Sequence, residues 1–130
     1  MTGEKMVRKE SFWSERMNEQ VINPSLSIHD NGVLEGGMSS GSRDAEGVPR
    51  RQQTLVEDGR LTNMLWSTRD SAQQVAEGRI DAAQSTGSAS SGGHQSPPST
   101  GCTELFLTSS DAPQTREQML ENMGDGYVVN

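Results

Sequence analysis

Large apolar side chains are scarce in this chain. Leu, Ile, Val and Phe together number 21 of 130 residues, about 16%, below the roughly 20% level under which a charged chain is suspected of disorder. Aromatics make up only 4%. No apolar run approaches the ~18 residues expected of a membrane-spanning helix. Residues 1–10 are charge-rich and lack the apolar centre of a secretory leader. There is one cysteine, Cys102, so neither an internal disulfide nor a cysteine-based structural zinc site can be built from this chain alone. Lysine is nearly missing too, with Lys5 and Lys9 against nine arginines. The 11 basic residues are outnumbered by 18 acidic ones, for a net charge of -7. Phosphate binding needs clustered Lys and Arg, so this balance argues against a nucleic-acid surface. The length allows one domain.

What is present is punctuation and short patterns. Residues 1–18 read as a charged arm or residual linker, with Phe12, Trp13 and Met17 as a possible helical stripe. Val21, Ile22, Leu26 and Ile28 read as a strand bent at Asn23-Pro24, and Asp30-Asn31-Gly32 as a turn. The clearest local signal is a hairpin. Gln52–Glu57 and Arg60–Trp66 flank Asp58-Gly59, which suits a two-residue turn because both central positions need positive φ. That register sets Glu57 against Arg60 and Val56 against Leu61. Apolar residues fall on both faces of the hairpin, so it should sit inside a larger assembly.

Thr68–Glu77 follows as a helix, capped by Ser67 or Thr68 and stopped by Gly78, with Ala72, Val75, Ala76 and Ile80 as its apolar stripe. Of the 17 residues from Ser85 to Gly101, 14 are Ser, Gly, Thr or Pro, which reads as a mobile loop. Cys102–Thr108 reads as a strand. Thr115-Arg116-Glu117-Gln118 has the form of a capping box opening a second helix, with Met119, Leu120 and Met123 as its buried side. Tyr127-Val128-Val129 begins a strand that stops at Asn130, as a truncated element would. The expectation is an α+β fold, mainly antiparallel sheet with two short helices.

No constellation in the chain assembles an active site. His29 and His94 are far apart, and His94 is separated from Cys102 by a Gly/Pro loop. There is no Cys-x-x-Cys and no His pair at helical spacing. His29-Asp30 could be an oriented base but has no third partner. Asp44, Glu46, Glu57 and Asp58 lack the spacing of a calcium loop and read as turn chemistry and surface charge. Cys102 reads as a buried structural thiol. Catalytic, cofactor-binding and metal residues are therefore expected to be none.

Five segments nevertheless come in a specific order. They are Gly41-Ser42-Arg43-Asp44-Ala45-Glu46-Gly47-Val48-Pro49, Leu55-Val56-Glu57-Asp58-Gly59-Arg60-Leu61, Ser85-Thr86-Gly87-Ser88-Ala89, Glu117-Gln118-Met119-Leu120 and Gly126-Tyr127-Val128-Val129. Together they resemble the C-terminal domain of the TldD/PmbA family, labelled modulator of DNA gyrase, over roughly residues 11–130. The resemblance implies a partial domain over residues 19–130 of a cytoplasmic metallopeptidase system. In that system a TldD-like subunit holds zinc on a His-Glu-x-x-x-His helix with a downstream cysteine, and a PmbA/TldE-like subunit supports it in degrading unfolded or precursor peptides. No His-Glu-x-x-x-His occurs here, and Cys102 does not match the family's cysteine. Pro97-Pro98-Ser99-Thr100-Gly101 stands where TldD-like members carry Arg-Met-x-Asn, and Ser88 where Asn or His is usual. The resemblance thus implies the PmbA/TldE-like side, with zinc in a TldD-like partner, a peptide substrate, and no nucleic acid or membrane. A scaffold module and a truncated, non-functional product are the alternatives.

Few lysines, many carboxylates and few large apolar groups also suit a salt-rich cytoplasm, where screening weakens self-repulsion and burial is strengthened. The chain is therefore expected to be more ordered in concentrated KCl than in dilute buffer. Far-UV circular dichroism melts in the two media check this, and coincident curves would refute it.

Overall fold

The Asp58-Gly59 turn organises the sheet. In the computed structural model, which describes residues 2–111 and 115–126, Asp58 and Gly59 take φ of 47° and 75°, the left-handed pair a two-residue hairpin needs. The turn joins β2 (Gln52–Glu57) to β3 (Arg60–Leu61) with Val56 opposite Leu61 and Glu57 opposite Arg60. The register is the one read from the sequence. The returning strand is shorter than that reading, two residues instead of seven. Arg60 Nη1 donates to the Asn18 carbonyl. Outside β3, the backbone of residues 18–22 continues the ladder: Leu61 N–H donates to Glu19 O, Asn18 N–H to Leu61 O, and Val21 N–H to Gly59 O.

β1 (Leu26–Asn31) pairs antiparallel with β2 on one side and with β6 (Leu105–Ser109) on the other, giving the order β3-β2-β1-β6. A register irregularity lies between Ile28 and His29. β1 starts after Pro24 rather than running through it, since proline cannot donate to a ladder. Asp30 and Asn31 belong to this strand, so the turn expected at Asp30-Asn31-Gly32 comes later. A second small sheet pairs β4 (Ala89–Ser90) with β5 (Ser99–Thr100).

The buried apolar core is small: Leu55, Val56, Leu61, Leu65, Trp66 and Ala89. Leu55 and Val56 are neighbours on β2 and both are fully buried, so both faces of that strand are covered, as the sequence implied. Part of the cover comes from the first residues. α1 (Gly3–Val7) lies beside α2 (Thr68–Ala76), Gly3 N–H donates to the Leu65 carbonyl (2.9 Å), and Gly3 sits directly against the Trp66 ring. Residues 2–18 are therefore not a free arm. The helix also falls at 3–7 instead of around Phe12. Ser11 and Ser14 hydroxyls accept local amides, and Lys9, Glu15 and Asn18 have positive φ, which breaks any helix there; Phe12 is left fully exposed. Among the described residues the fold is mainly antiparallel sheet with three short helices, one more than expected.

α2 has the expected cap, Ser67 Oγ accepting from Asp70 N–H, and closes on Gly78 with Gly78 N–H to Val75 O and Arg79 N–H to Gln74 O. Its buried face is a surprise. Asp70, Ser71 and Gln74 point inward, while Ala72 and Ala76 are exposed. Asp70 and Ser71 bond the loop residues Thr100 and Gln84 there, which methyl groups cannot do, whereas the buried Gln74 side-chain amide has no hydrogen-bond partner among the described residues.

α3 (Arg116–Met123) has the full Thr115/Gln118 capping box and ends at Gly124. Its expected buried face is open: Met119, Leu120 and Met123 are 59%, 38% and 41% exposed. The strand expected at Tyr127-Val128-Val129 lies outside the described residues.

Gly59 is held by conformation and by space. A Cβ there would lie 2.1 Å from Gln20 Nε2 and 2.6 Å from the Ile22 carbonyl. Gly59→Ala is expected to destabilise the fold by about 2–4 kcal/mol, combining left-handed strain with overpacking. Urea denaturation followed by far-UV signal measures it.

Candidate functional site

Three aspartates are almost wholly buried: Asp30 (1% exposed), Asp44 (8%) and Asp70 (4%). Each accepts at least one backbone amide from a segment far away in sequence. Asp44 Oδ1 accepts from Glu46 and Val48 N–H (both 2.9 Å), which shapes its own loop around Gly47, and its Oδ2 accepts from Ala89 N–H (3.0 Å). Asp70 Oδ2 accepts from the amide (3.0 Å) and hydroxyl (2.5 Å) of Thr100. Asp30 Oδ1 accepts from Thr103 (2.7 Å) and Glu104 (3.1 Å) N–H. Glu46 completes the set from the surface, its two oxygens accepting from Thr68 and Arg69 N–H (2.6 and 2.9 Å) at the first turn of α2, where the helix dipole favours a negative charge.

These bonds order the segment that composition marks as a mobile loop. Thr86, Gly87, Ser88 and Ala89 are buried. Thr86 Oγ1 accepts from Trp66 N–H (2.8 Å) and lies within reach of the Trp66 carbonyl (3.0 Å) and Ser88 Oγ (2.9 Å). Gln53 Nε2 donates to Ser88 Oγ (3.1 Å). Gly87, at φ +70°, leaves no room for a side chain, since a Cβ would stand 2.3 Å from the Pro49 carbonyl. Ala45 N–H donates to Ala89 O. The Asp44–Pro49 and Thr86–Ala89 segments are thus two halves of one contact. Arg50 fastens its rim, donating to the Arg43 carbonyl and to Thr103 Oγ1. Within residues 85–101 the run that is exposed throughout is 90–97.

The residues tested for chemistry in the sequence do not converge. His29 stands in mid-strand, its ring nitrogens 3.0 Å from Thr54 Oγ1 and 3.1 Å from Thr108 Oγ1, bridging three strands. His94 is exposed on the loop tip. Cys102 is also exposed, contrary to the buried thiol expected, because the strand begins at Leu105 and not at Cys102. Glu57 is exposed beside the turn, and Asp58 forms it. Asp44 is buried rather than surface charge. Sequence reading took Asp30 for a turn residue or the partner of His29 and did not single out Asp70, Gln53 or Gln74 as buried; a long-range bond leaves no local pattern. Gln74 is fully buried on α2. An open concavity of about 310 Å³ beside Val33, Leu34 and Ser40 has no titratable lining.

Among the described residues, no three of His, Cys, Asp and Glu come together as a metal would require. The residues present do not fit zinc: the buried carboxylates are committed to N–H and O–H donors, and His29 to two hydroxyls. The arrangement holds backbone in place.

A fold of this kind has known counterparts. The family model for the PmbA/TldA metallopeptidase C-terminal domain matches residues 1–130, and the chain belongs to that family. It is 32% identical over 91 residues to the uncharacterized protein MJ0231 of Methanocaldococcus jannaschii, covering 70% of this chain and 20% of that protein. Among solved structures it resembles TldE from Thermococcus kodakarensis, with TM-score 0.71 and 18% identity over 92% of this chain and 25% of that one. It also resembles TM0727 of Thermotoga maritima, which carries the modulator-of-DNA-gyrase label, with TM-score 0.69 and 27% identity over 94% and 25%. The chain spans about a quarter of the length of these solved relatives. The family match includes residues 1–18, in keeping with their packing on α2 and Leu65.

Asp44→Ala strips the acceptor from three backbone amides, that of Ala89 buried. It is expected to cost about 2–4 kcal/mol and to open residues 86–89 to protease, with Asp44→Asn falling between it and the parent. Urea midpoints and limited proteolysis of the three proteins measure this.

Proposed function

We propose that this chain acts as a part of the PmbA/TldE-like, non-zinc-binding component of a cytoplasmic metallopeptidase, supporting a TldD-like subunit that holds the zinc and cleaves unfolded or precursor peptides. The observation that carries this reading is the family match over all 130 residues, taken with a site whose buried carboxylates serve as amide acceptors. A residue engaged in that way holds a scaffold in place and is not free to bind metal or move a proton. On this reading the chain contributes framework and contact surface, and the hydrolytic groups are the partner's.

The test mixes the tagged chain with a TldD-like subunit from the same source. Expected are co-elution, zinc that travels with the TldD-like subunit, and hydrolysis of an unfolded peptide by the mixture but not by this chain alone. Cys102→Ser is expected to leave the rate of the mixture unchanged. Separate elution of two folded proteins would favour the scaffold alternative. Loss of activity in the Cys102→Ser mixture, with folding intact, would overturn the assignment of all chemistry to the partner.

A further inference from the structure

Of the six asparagines, Asn31 is followed by glycine, while Asn18, Asn23, Asn63 and Asn122 are followed by Glu, Pro, Met and Met. An asparagine carboxamide is most open to attack by the next backbone nitrogen when that residue is glycine, which has no Cβ to shield it. Packing fixes the glycine in place. A Cβ on Gly32 would lie 3.0 Å from Arg50 Cβ and 3.4 Å from the Arg51 carbonyl.

Asn31 closes β1 opposite Gln52 and is half-buried. Its N–H donates to the Glu104 carbonyl (2.9 Å), and the next N–H, that of Gly32, donates to the Arg51 carbonyl (3.2 Å). The Asn31 Oδ1 accepts from Val33 N–H (3.1 Å), an Asx turn that holds the carboxamide beside the Gly32 peptide. Electrophile and nucleophile are adjacent, and the backbone that joins them is pinned on both sides.

We propose that Asn31-Gly32 is a self-modifying site, held off by the Gly32–Arg51 hydrogen bond and released when this end of β1 opens. The Gly32 nitrogen gives its proton to water and bonds to Asn31 Cγ. The Cγ–Nδ2 bond breaks and ammonia leaves. The succinimide so formed takes up one water. Opening at Cγ gives an ordinary aspartate at position 31, and opening at the α-carbonyl gives isoaspartate, with the chain routed through Cβ. Water is the only co-reactant. The ring nitrogen carries no hydrogen and cannot donate to Arg51, and ring closure turns Asn31 out of the extended conformation of its strand. Both demands oppose reaction while the strand is closed, so local opening must come first. Isoaspartate also adds a backbone atom between the hydrogen bonds to Glu104 and Arg51, and the two cannot both be kept. The reaction thus marks a molecule whose β1 end has opened, and the isoaspartate form keeps it open. The inference is independent of the metallopeptidase reading.

The 130-residue chain is incubated in warm, mildly alkaline buffer, both folded and in unfolding urea, and its peptides are mapped by mass for conversion of amide to acid. In urea, residue 31 should convert ahead of every other asparagine. In the folded chain its conversion should be at least about tenfold slower. Below the unfolding transition, added urea should raise that rate in step with hydrogen exchange of the Gly32 amide. Gly32→Ala, compared in unfolding urea where packing plays no part, should slow conversion at least about tenfold. The isoaspartate form, separated by chromatography, should unfold at lower urea than the parent, and Asn31→Asp, with the same charge on an ordinary backbone, should stay closer to the parent. Equal rates in the folded and unfolded chain overturn the inference, because the hydrogen bond then holds nothing off. So does a folded rate that ignores Gly32 exchange. Absence of any preference for residue 31 in urea overturns the site itself. An isoaspartate form as stable as the parent overturns its role in keeping the strand open.

Discussion

The fold depends on buried carboxylates that bind backbone amides of distant segments. Taking an ionised carboxylate out of water costs several kcal/mol unless its oxygens are bonded. Asp30, Asp44 and Asp70 each escape that cost only when two or three donors stand in place. Those donors belong mainly to residues 89–104, which have little apolar surface of their own. The loop is ordered by charge-assisted hydrogen bonds, and an unbonded loop would strand three buried charges. This explains how a chain with so few large apolar residues holds a closed structure: part of its acidic excess lies inside.

The same constraint separates what the sequence revealed from what it hid. The hairpin was legible because its rule is local: two adjacent residues with positive φ fix the register of the strands beside them. Helix ends were legible for the same reason, since Ser67 bonds Asp70 N–H and Thr115 bonds Gln118 N–H three residues away. The inward face of α2 was not legible. A search for apolar spacing finds Ala72 and Ala76, but the loop residues Thr100 and Gln84 bond Asp70 and Ser71, which turn inward instead. Ser71 Oγ takes the Gln84 amide and reaches the Gln84 carbonyl, and nothing near Ser71 in sequence announces Gln84. Low complexity misled for a related reason. Ser and Gly at 85–89 suggest freedom, whereas here Gly87 is required because its backbone lies against Pro49.

Among the described residues the interior is covered on one side and open on the other. Around β2, strand, helix and loop close on Leu55, Val56 and Leu61. Beyond β1, β6 and α3 present Leu105, Leu107, Met119 and Leu120 to solvent. α3 opens with a capping box in which Thr115 and Gln118 satisfy its first amides, and none of its residues is buried among the described ones.

The family signature has a physical meaning in this structure. Asp44 touches Ala89, Pro49 touches Gly87 and Glu46 touches the start of α2, through an amide hydrogen bond to Asp44, a glycine against a carbonyl, and two amides on Glu46. A change on one side must be matched on the other, which makes the segments recognisable together where either alone would be weak. The contact reports a scaffold and says nothing of bond cleavage. That is why the fold can be shared with TldE at 18% identity and TM-score 0.71 while the chemistry must be argued separately. The motifs that identify the chain include those that hold its backbone, with Asp44 and Glu46 accepting the amides of distant segments.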